Sequence, residues 1–321
     1  MNRHSTIRRK AMSGAGSLFL CFVLQGAAVH ALPQKPEPDY TFRSDVRLVL
    51  LDVSVKDKDG HPVPNLTREN FTILEDRRPQ PITVFDHNDL PVTVGILVDE
   101  SRSMSPKRAE VLTAAQTFIT ESNPHDQVFV LNFNDKVTPG LPPGVLFSDK
   151  LSDLHSALYR GFPEGKTALR DAVVAGLRQL ELGQRDKKTL VVISDGGDTA
   201  SEHTRGQMLD NVVRSIATIY TIGLFDNDDP DRDPGILRQI ARISGGEAYF
   251  PPDASVMVPV CRKIAKEIRT RYTIGYLPRP SSKSSSSRHV QVNASAPGHA
   301  KLTVRARTSY RYDTAESAKH Q

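Results

Sequence analysis

The chain has 321 residues, which exceeds the usual size of one domain and predicts a large domain with a smaller one beside it. Hydrophobic residues make up 38% and charged residues 25%, a balance that excludes a disordered chain and a membrane-embedded one. The formal net charge is +5 at pH 7, and much of the excess lies near the start of the sequence, so nucleic-acid binding has little support.

Residues 1–31 have the pattern of a secretory signal peptide. Basic side chains from Arg3 to Lys10 precede an apolar run over 15–24, and small residues follow it. We expect cleavage after Ala31, which removes four basic and no acidic side chains and lowers the formal net charge to +1. The alternative is an uncleaved anchor, but the apolar run is shorter than the roughly 20 residues that cross a bilayer. Both interpretations predict a secreted or periplasmic protein, and the mature chain is predicted to have no membrane span.

The two cysteines cannot form a disulfide in the mature chain. Cys21 lies in the predicted signal, which leaves Cys261 alone. Cys261 falls on a predicted helix and is expected to be a small buried side chain. The stability of the fold must therefore come from packing.

A proline-rich leader over 32–41 precedes a β-rich segment over 42–88. Three short apolar runs in this segment predict strands over 46–55, 71–74 and 82–85. The first strand is expected to end at a turn over 57–60. The charged run 75–78 is expected to be the turn between the other two strands.

Residues 91–270, called the central domain below, alternate between apolar runs and helical patterns. The predicted buried strands are 92–98, 128–133, 189–193, 219–222 and 248–250. The predicted helices are 109–119, 169–180, 208–216, 236–241 and 260–268. This alternation predicts an α/β fold with a doubly wound, mostly parallel sheet that is covered on both faces.

Residues 271–312 return to a β-type sequence. Strands are predicted over 272–276, 289–294 and 302–307. The serine-rich stretch 281–287 is predicted as a flexible loop by its composition, and 313–321 as a disordered tail. Because a doubly wound domain tends to bring its two ends close together, we expect both β-rich flanks to pack as one accessory β-sandwich.

Polar residues follow two of the predicted buried strands. Asp99, Ser101 and Ser103 come directly after the first strand, and Asp195 follows the third. Thr167 lies just ahead of a predicted helix. Because ligands of open α/β sheets bind at the carboxyl ends of the strands, these five side chains are candidates for one site. Hydroxyl and carboxylate oxygens without histidine or cysteine favour a hard cation such as Mg²⁺ over zinc.

The order and spacing of these residues resemble the metal-ion-dependent adhesion site of von Willebrand factor type A domains. The pattern of that site is Asp-x-Ser-x-Ser, a distant Thr and a distant Asp, and the resemblance covers the whole central domain. It implies a Rossmann-like fold, with Ser101, Ser103 and Thr167 as direct ligands of Mg²⁺, or of Mn²⁺ or Ca²⁺. It also implies that Asp99 and Asp195 act mainly through metal-bound waters. An acidic side chain from a partner protein would complete the shell.

The flanking segments extend this resemblance to a group of exported bacterial proteins, common in Acidobacteria, that carry the same domain between β-rich elements. The resemblance lies in short phrases: Lys-Asp-Gly at 58–60, Glu-Asn-Phe at 69–71 and Tyr-Thr-Ile-Gly-Tyr at 272–276. It implies an exported bacterial protein with flanks of the predicted β-rich kind.

Each candidate ligand also has a simpler structural interpretation. Asp99, Ser101 and Ser103 fit a turn followed by a helix N-cap, because Ser and Asp often accept the free N–H groups there. Thr167 fits a helix cap, and Asp195 before glycine fits a turn.

Other polar residues near these loops have less specific roles. Asp198 is expected to be a loop residue rather than a ligand. The acidic run 226–233 could form a second, calcium-type site, but it lacks the spacing of a helix–loop–helix calcium loop and is better interpreted as a solvated loop. Arg102 and Lys166 could contact an acidic ligand, and exposed loop charges are the simpler interpretation.

The sequence as a whole predicts an exported, non-catalytic protein that binds a partner protein through a divalent cation. A metal-dependent hydrolase is the alternative. This alternative is weakened because no histidine, cysteine or lysine is obviously placed as a general base beside the three loops that carry Asp99, Thr167 and Asp195. A structural envelope protein with an unused site is the third interpretation.

Overall fold

The computed structural model describes residues 48–225, 230–279, 285–299 and 301–313. The predicted signal peptide and the leader lie outside the described residues, as does 226–229 of the acidic run. Within the described part of the chain, no helix combines the length and the apolar character that a bilayer span requires.

From residue 48 onward, where the description of the chain begins, four strands precede the central domain: β1 (Val49–Lys56), β2 (Phe71–Glu75), β3 (Arg78–Gln80) and β4 (Val84–Asp86). β2 and β3 form a hairpin whose turn residues, Asp76 and Arg77, have positive φ angles of 46° and 67°. Two successive positive φ angles make the tightest hairpin turns, which usually contain glycine. The pairing predicted between strands 71–74 and 82–85 was therefore wrong. The turn itself lies within the predicted range 75–78, but the strand that follows it, β3, begins directly at Arg78, and β4 joins a different sheet.

The central domain contains a six-stranded sheet. Its strands are β5 (Val92–Asp99), β6 (Gln127–Phe133), β7 (Val137–Pro139), β8 (Lys187–Ser194), β9 (Thr218–Gly223) and β10 (Ala248–Tyr249). They lie in the order β10-β9-β8-β5-β6-β7, and only β7 runs antiparallel to its neighbour. Every residue of β5 is buried, as expected of a central strand covered on both faces. The predicted α/β class with a mostly parallel sheet is confirmed.

The α-helices described in this domain are α1 (Arg108–Glu121), α2 (Leu151–Tyr159), α3 (Leu169–Glu181), α4 (Arg205–Arg214), α5 (Pro234–Ser244) and α6 (Met257–Arg269). The sequence analysis missed α2, because its nine residues bury only Leu154, Ala157 and Leu158, too few for a clear helical pattern. Cys261 is fully buried on α6 as predicted, and burial raises the pKa of its thiol to about 12.

Four of the described strands follow the central domain: β11 (Tyr272–Tyr276), β12 (Ser285–Ala294), β13 (Thr303–Arg305) and β14 (Ser309–Asp313). One antiparallel sheet has the order β13-β1-β11-β4 and the other β14-β12-β2-β3, so each mixes strands from both flanks. Residues of both sheets, among them Leu51, Ile73 and Ile274, form one hydrophobic core that is separate from that of the central domain. The accessory β-sandwich expected from the flanking segments is confirmed.

The serine-rich stretch is partly a strand rather than a loop. Ser285, Ser286 and Ser287 belong to β12 and pair with β14, while 281–284 lie outside the described residues. The loop prediction was wrong for these three serines because backbone pairing with β14, which the sequence analysis did not identify, overrides their local preference. Asp313, predicted to begin the tail, is the last residue of β14, and the rest of the predicted tail lies outside the described residues.

A buried ionic cluster joins the sandwich to the central domain. Arg271 is 1% exposed, and its Nε lies 2.8 Å from Asp52 Oδ2 of β1. Its Nη1 donates to the Tyr220 hydroxyl at 3.0 Å and lies 3.4 Å from Glu267 Oε1 of α6. Lys56 of β1 also pairs with Glu267. Because buried charges are tolerated only when they are paired, these contacts fix β1 against α6 and β9.

Candidate metal centre

The candidate site lies where two neighbouring strands end. β5 has β6 on one side and β8 on the other, so the winding of the sheet changes direction at β5. Asp99 ends β5, and Ser194, which directly precedes Asp195, ends β8. This carboxyl edge is the place where open α/β sheets bind ligands, because the loops from adjacent strands diverge there.

Asp99 is held by two hydrogen bonds at the end of its strand. Its Oδ1 accepts the backbone N–H of Ser101 at 2.9 Å, and its Oδ2 accepts the hydroxyl of Ser194 at 2.6 Å. The residue is only 2% exposed. The sequence analysis did not identify Ser194 as part of the site. The position of Ser194 could have indicated this role, because it places a hydroxyl at the end of a buried strand, directly before a candidate ligand.

Ser101, Ser103 and Asp195 are connected in a short chain of contacts. The hydroxyl oxygens of Ser101 and Ser103 lie 3.1 Å apart, and the Ser103 hydroxyl donates to Asp195 Oδ2 at 2.5 Å. The other oxygen, Oδ1, accepts the Gly197 N–H at 3.0 Å. The structure therefore brings four of the five candidate side chains into one hydrogen-bonded group.

Thr167 is attached to this group through its loop. Thr167 is 6% exposed, and its backbone carbonyl accepts the N–H groups of Thr199 and Ala200, each at 2.9 Å. The N–H of Arg102 reaches the Gly165 carbonyl of the same loop at 3.4 Å. Over the described part of the chain, the Thr167 hydroxyl makes no hydrogen bond with the other four candidates.

The capping interpretations do not account for these hydroxyls. Ser101 occupies the N-cap position of the 3-10 turn over 102–107, but its side chain makes no capping hydrogen bond. At α3 the N-cap position belongs to Ala168. The hydroxyls of Ser101 and Thr167 are therefore left available to a ligand.

The electrostatics of the site suit a cation. Burial first, and then the nearby Asp195 carboxylate, raise the pKa of Asp99 from 3.8 to about 7, against the opposing effect of hydrogen bonds from Ser101 and Ser194. Among the described residues, no lysine, arginine or histidine forms an ion pair with either carboxylate. Two buried carboxylates without a basic partner are costly, and a bound cation removes that cost.

The donor set fits a hard cation. It consists of hydroxyl and carboxylate oxygens, which Mg²⁺, Mn²⁺ and Ca²⁺ accept, and it contains no nitrogen or sulfur. Within the described ranges, no group of three or more His, Cys, Asp or Glu side chains is arranged to hold a metal. The candidate centre at Asp99 and Asp195 is of another kind, since it supplies only two carboxylates and relies on neutral hydroxyls.

The Asp195 loop depends on glycine for its path. Gly196 has a φ of +83°, and a Cβ at this position would lie 2.4 Å from the Asp233 carbonyl oxygen. Asp233 also caps α5 by accepting the Ile236 N–H at 2.9 Å. The end of the acidic run is therefore packed against the Asp195 loop. The prediction of a solvated loop for the rest of the run falls partly on 226–229, outside the described residues.

Asp198 fastens the same loop to α3. Its Oδ2 accepts the Arg170 N–H at 2.7 Å, and its Oδ1 accepts the Arg170 guanidinium at 2.8 Å. Further along, Asp171 Oδ1 lies 2.7 Å from His203 Nδ1 and also accepts the His203 N–H. His203 lies on the segment between β8 and α4, eight residues after Asp195, and its contact with Asp171 holds this segment against α3.

Comparisons with known proteins agree with this geometry. Residues 94–197 match the family model of the von Willebrand factor type A domain. A solved structure, "von Willebrand factor type A from Catenulispora acidiphila", is similar with a TM-score of 0.50 and 14% identity over 86% of this chain and 76% of that one. At this identity the likeness shows the fold alone. No curated protein matches the chain.

Two other solved structures are less similar. An aerotolerance-related membrane protein from Bacteroides fragilis has a TM-score of 0.44 and 17% identity over 55% of this chain and 98% of that one. Proximal thread matrix protein 1 from the mussel byssus, described with a zinc-occupied metal site of the adhesion type, has a TM-score of 0.46 and 14% identity over 57% of this chain and 48% of that one. The sheet order, the match over 94–197 and the fold shared with the Catenulispora protein show that the central domain has the Rossmann-like α/β fold of von Willebrand factor type A domains.

Proposed function

We propose that the chain is an exported, non-catalytic binding protein that holds a divalent cation in its central domain and uses it to grip an acidic group on a partner protein. One observation supports this most strongly. The carboxylates of Asp99 and Asp195 lie beside the hydroxyls of Ser101 and Ser103, and no basic side chain of the described residues pairs with either carboxylate.

The five candidate residues would contribute to cation binding in two ways. Ser101, Ser103 and Thr167 would offer neutral hydroxyl oxygens, and Asp99 and Asp195 would supply the opposing charge. When bound, the cation supplies a positive charge that a carboxylate of the partner can contact. Mg²⁺ is the proposed ion, with Mn²⁺ or Ca²⁺ as alternatives, because all three prefer oxygen ligands.

Metal titration of the full chain tests the site. Calorimetry with Mg²⁺ and Mn²⁺ is expected to show binding in the wild type and none in Asp99→Ala or Thr167→Ala. Thr113→Ala, which removes an exposed hydroxyl on α1, is the matched control and is expected to bind normally. Unchanged metal affinity in the Asp99 and Thr167 variants would refute the site. The absence of any binding by the wild type would favour the structural envelope protein.

Partner binding is tested separately. A pull-down from envelope extract, with and without chelator, is expected to recover proteins that depend on the cation and on Asp99. Export is tested by fractionation and N-terminal sequencing, with a mature chain that begins at Leu32 as the expected result. The resemblance to exported bacterial proteins with β-rich flanks supports this proposal.

A metal-dependent hydrolase is the second candidate, favoured by the contact of 2.7 Å between His203 Nδ1 and Asp171 Oδ1. An imidazole oriented by a carboxylate is a common general base. Asp171 Oδ1 and Oδ2 also accept the N–H groups of His203 and Glu202, so the same contact fastens the loop to α3. Turnover of phosphoesters or peptides that is lost in both Asp99→Ala and His203→Gln would establish the hydrolase. No turnover is expected.

A further inference from the structure

Phe162 is the most exposed of the large hydrophobic side chains described, with 70% of its surface open to solvent. It lies on the segment 160–168 that connects α2 to α3, and Thr167 lies on the same segment. A single exposed hydrophobic residue is common on protein surfaces and needs no explanation by itself. The way in which this segment is held distinguishes Phe162 from the others.

The backbone before Phe162 is bound to Arg108, which pairs with Glu100, and the backbone after Phe162 is bound to Glu100 itself. Glu100 Oε2 accepts from Arg108 Nε at 2.9 Å, and Arg108 Nη2 donates to the Gly161 carbonyl at 2.6 Å. On the other side, the Glu164 N–H donates to the Glu100 carbonyl at 2.9 Å. Gly161 sits directly on this carboxylate, because a Cβ there would lie 2.5 Å from Glu100 Oε1.

Glu100 lies between Asp99 and Ser101, so the residue that holds Phe162 also connects two candidate ligands. The position of Phe162 relative to the site is therefore set by hydrogen bonds and not by a free loop. Because the backbone of this segment is already held, a partner that covers Phe162 has to order only the side chain, which lowers the entropy cost of the contact.

The charges around this segment do not explain how a partner is chosen. Arg102 and Lys166 are exposed and form no ion pair among the described residues, but Glu164 and Asp135 place two negative charges on the same edge. An acidic group would be attracted mainly by the cation. Acidic side chains are frequent on proteins, so a cation alone discriminates poorly between partners.

We propose that Phe162 is the specificity contact of the metal site, and that the partner is a protein segment with a bulky apolar side chain close to its acidic residue. This inference rests on the proposed function. The acidic group contacts the cation, and the neighbouring apolar side chain packs on the exposed ring of Phe162.

Two synthetic pentapeptides test the inference. One has Leu on each side of a central Asp, the other has Ser in those places, and both have Gly at the ends. Calorimetry with the full chain in Mg²⁺ is expected to show roughly tenfold tighter binding of the Leu peptide, since covering part of a Phe side chain contributes about that factor. In Phe162→Ala the two peptides are expected to bind equally.

Leu182→Ala is the matched control. Leu182 is 60% exposed at the far end of α3, about 20 Å from Thr167 along a 13-residue helix. This variant is expected to keep the preference for the Leu peptide. Mg²⁺ affinity without peptide is expected to be the same in the wild type and both variants.

The outcomes separate this inference from the proposed function. Equal binding of both peptides by the wild type, or no binding of either, would overturn the role of Phe162 even if Mg²⁺ binds as proposed. A Leu preference that Phe162→Ala retains would also overturn it. Absence of Mg²⁺ binding by the wild type would refute both ideas together.

Discussion

Ser194 donates a hydrogen bond of 2.6 Å to Asp99 Oδ2, and this contact joins the last residues of two adjacent parallel strands. Asp99 is therefore oriented by the sheet itself rather than by a mobile loop. Because its position is fixed before any ligand arrives, its charge has clear consequences for stability.

Replacing Asp99 by Asn is expected to stabilise the metal-free protein by about 1–3 kcal/mol, because burial and the Asp195 carboxylate both oppose the ionised form of Asp99. The amide oxygen can still accept the Ser101 N–H. Urea unfolding in chelator at pH 8 measures the effect. Asp210→Asn on the exposed face of α4 is the control, with an expected change below about 0.5 kcal/mol. A less stable Asp99→Asn variant would contradict this account.

The stability of the metal-free wild type is expected to fall as pH rises from about 4 to about 7. The folded pKa of Asp99, about 7, lies above the ordinary value of 3.8, so the folded state binds more protons across this window and loses stability as they leave. Asp126, whose pKa burial raises to about 6, contributes in the same direction. The part due to Asp99 is the difference between wild type and Asp99→Asn, measured by urea unfolding in chelator. A difference that does not change with pH would disprove it.

Gly196→Ala is expected to weaken Mg²⁺ binding and destabilise the fold, because the new Cβ would lie 2.4 Å from the Asp233 carbonyl oxygen. Gly144→Ala is a matched control, since Gly144 has the same φ of +83° and nothing within 4 Å of the added atom. The free energy of unfolding of this control variant is expected to fall by about 1–2 kcal/mol, because of the positive φ alone. Unfolding and calorimetry on both variants test this. Equal losses would show that the packing of the Asp195 loop on Asp233 does not matter.

Arg271→Met is expected to destabilise the protein by about 3–5 kcal/mol, because it leaves the buried carboxylate of Glu267 and the partly buried one of Asp52 without one of their partners. Arg262→Met is the comparison, since it breaks only the exposed pair with Glu121 and is expected to cost at most about 1 kcal/mol. Denaturant unfolding of both variants gives the two values. Similar small losses would show that the cluster does not hold the sandwich to the central domain.

The sequence predicted those features that depend on local pattern. The buried strand ending at Asp99 was clear, because a continuous apolar run has few other interpretations. The proximity of Asp99, Ser101, Ser103 and Asp195 was predicted because residues that follow adjacent parallel strands meet at one edge. The role of Ser194 was missed, because a serine inside a β run gives no sign of which strand will lie beside it.

Features that depend on long-range pairing could not be predicted. The turn at Asp76 and Arg77 lies within the predicted turn, but β3 was not recognised, because Arg78, Pro79 and Gln80 show no β-type pattern. The strand character of Ser285 to Ser287 comes from β14, and no local property of serine indicates it. The attachment of the loop around Phe162 to Glu100 likewise depends on contacts between distant segments.

The mixed strand order of the sandwich has a consequence for how the protein is made. β2 and β3 can pair as a hairpin at once, but β1 and β4 pair with β11, and β2 also pairs with β12, so these sheets cannot be completed until the chain beyond the central domain has been made. Among the described strands, the six of the central sheet pair only with one another, so that sheet can form earlier. Once the central sheet has formed, it brings the two flanks closer together, so their pairing costs less loop-closure entropy. Folding is therefore expected to begin in the central domain, and the sheets that contain β1 to β4 are expected to be completed last.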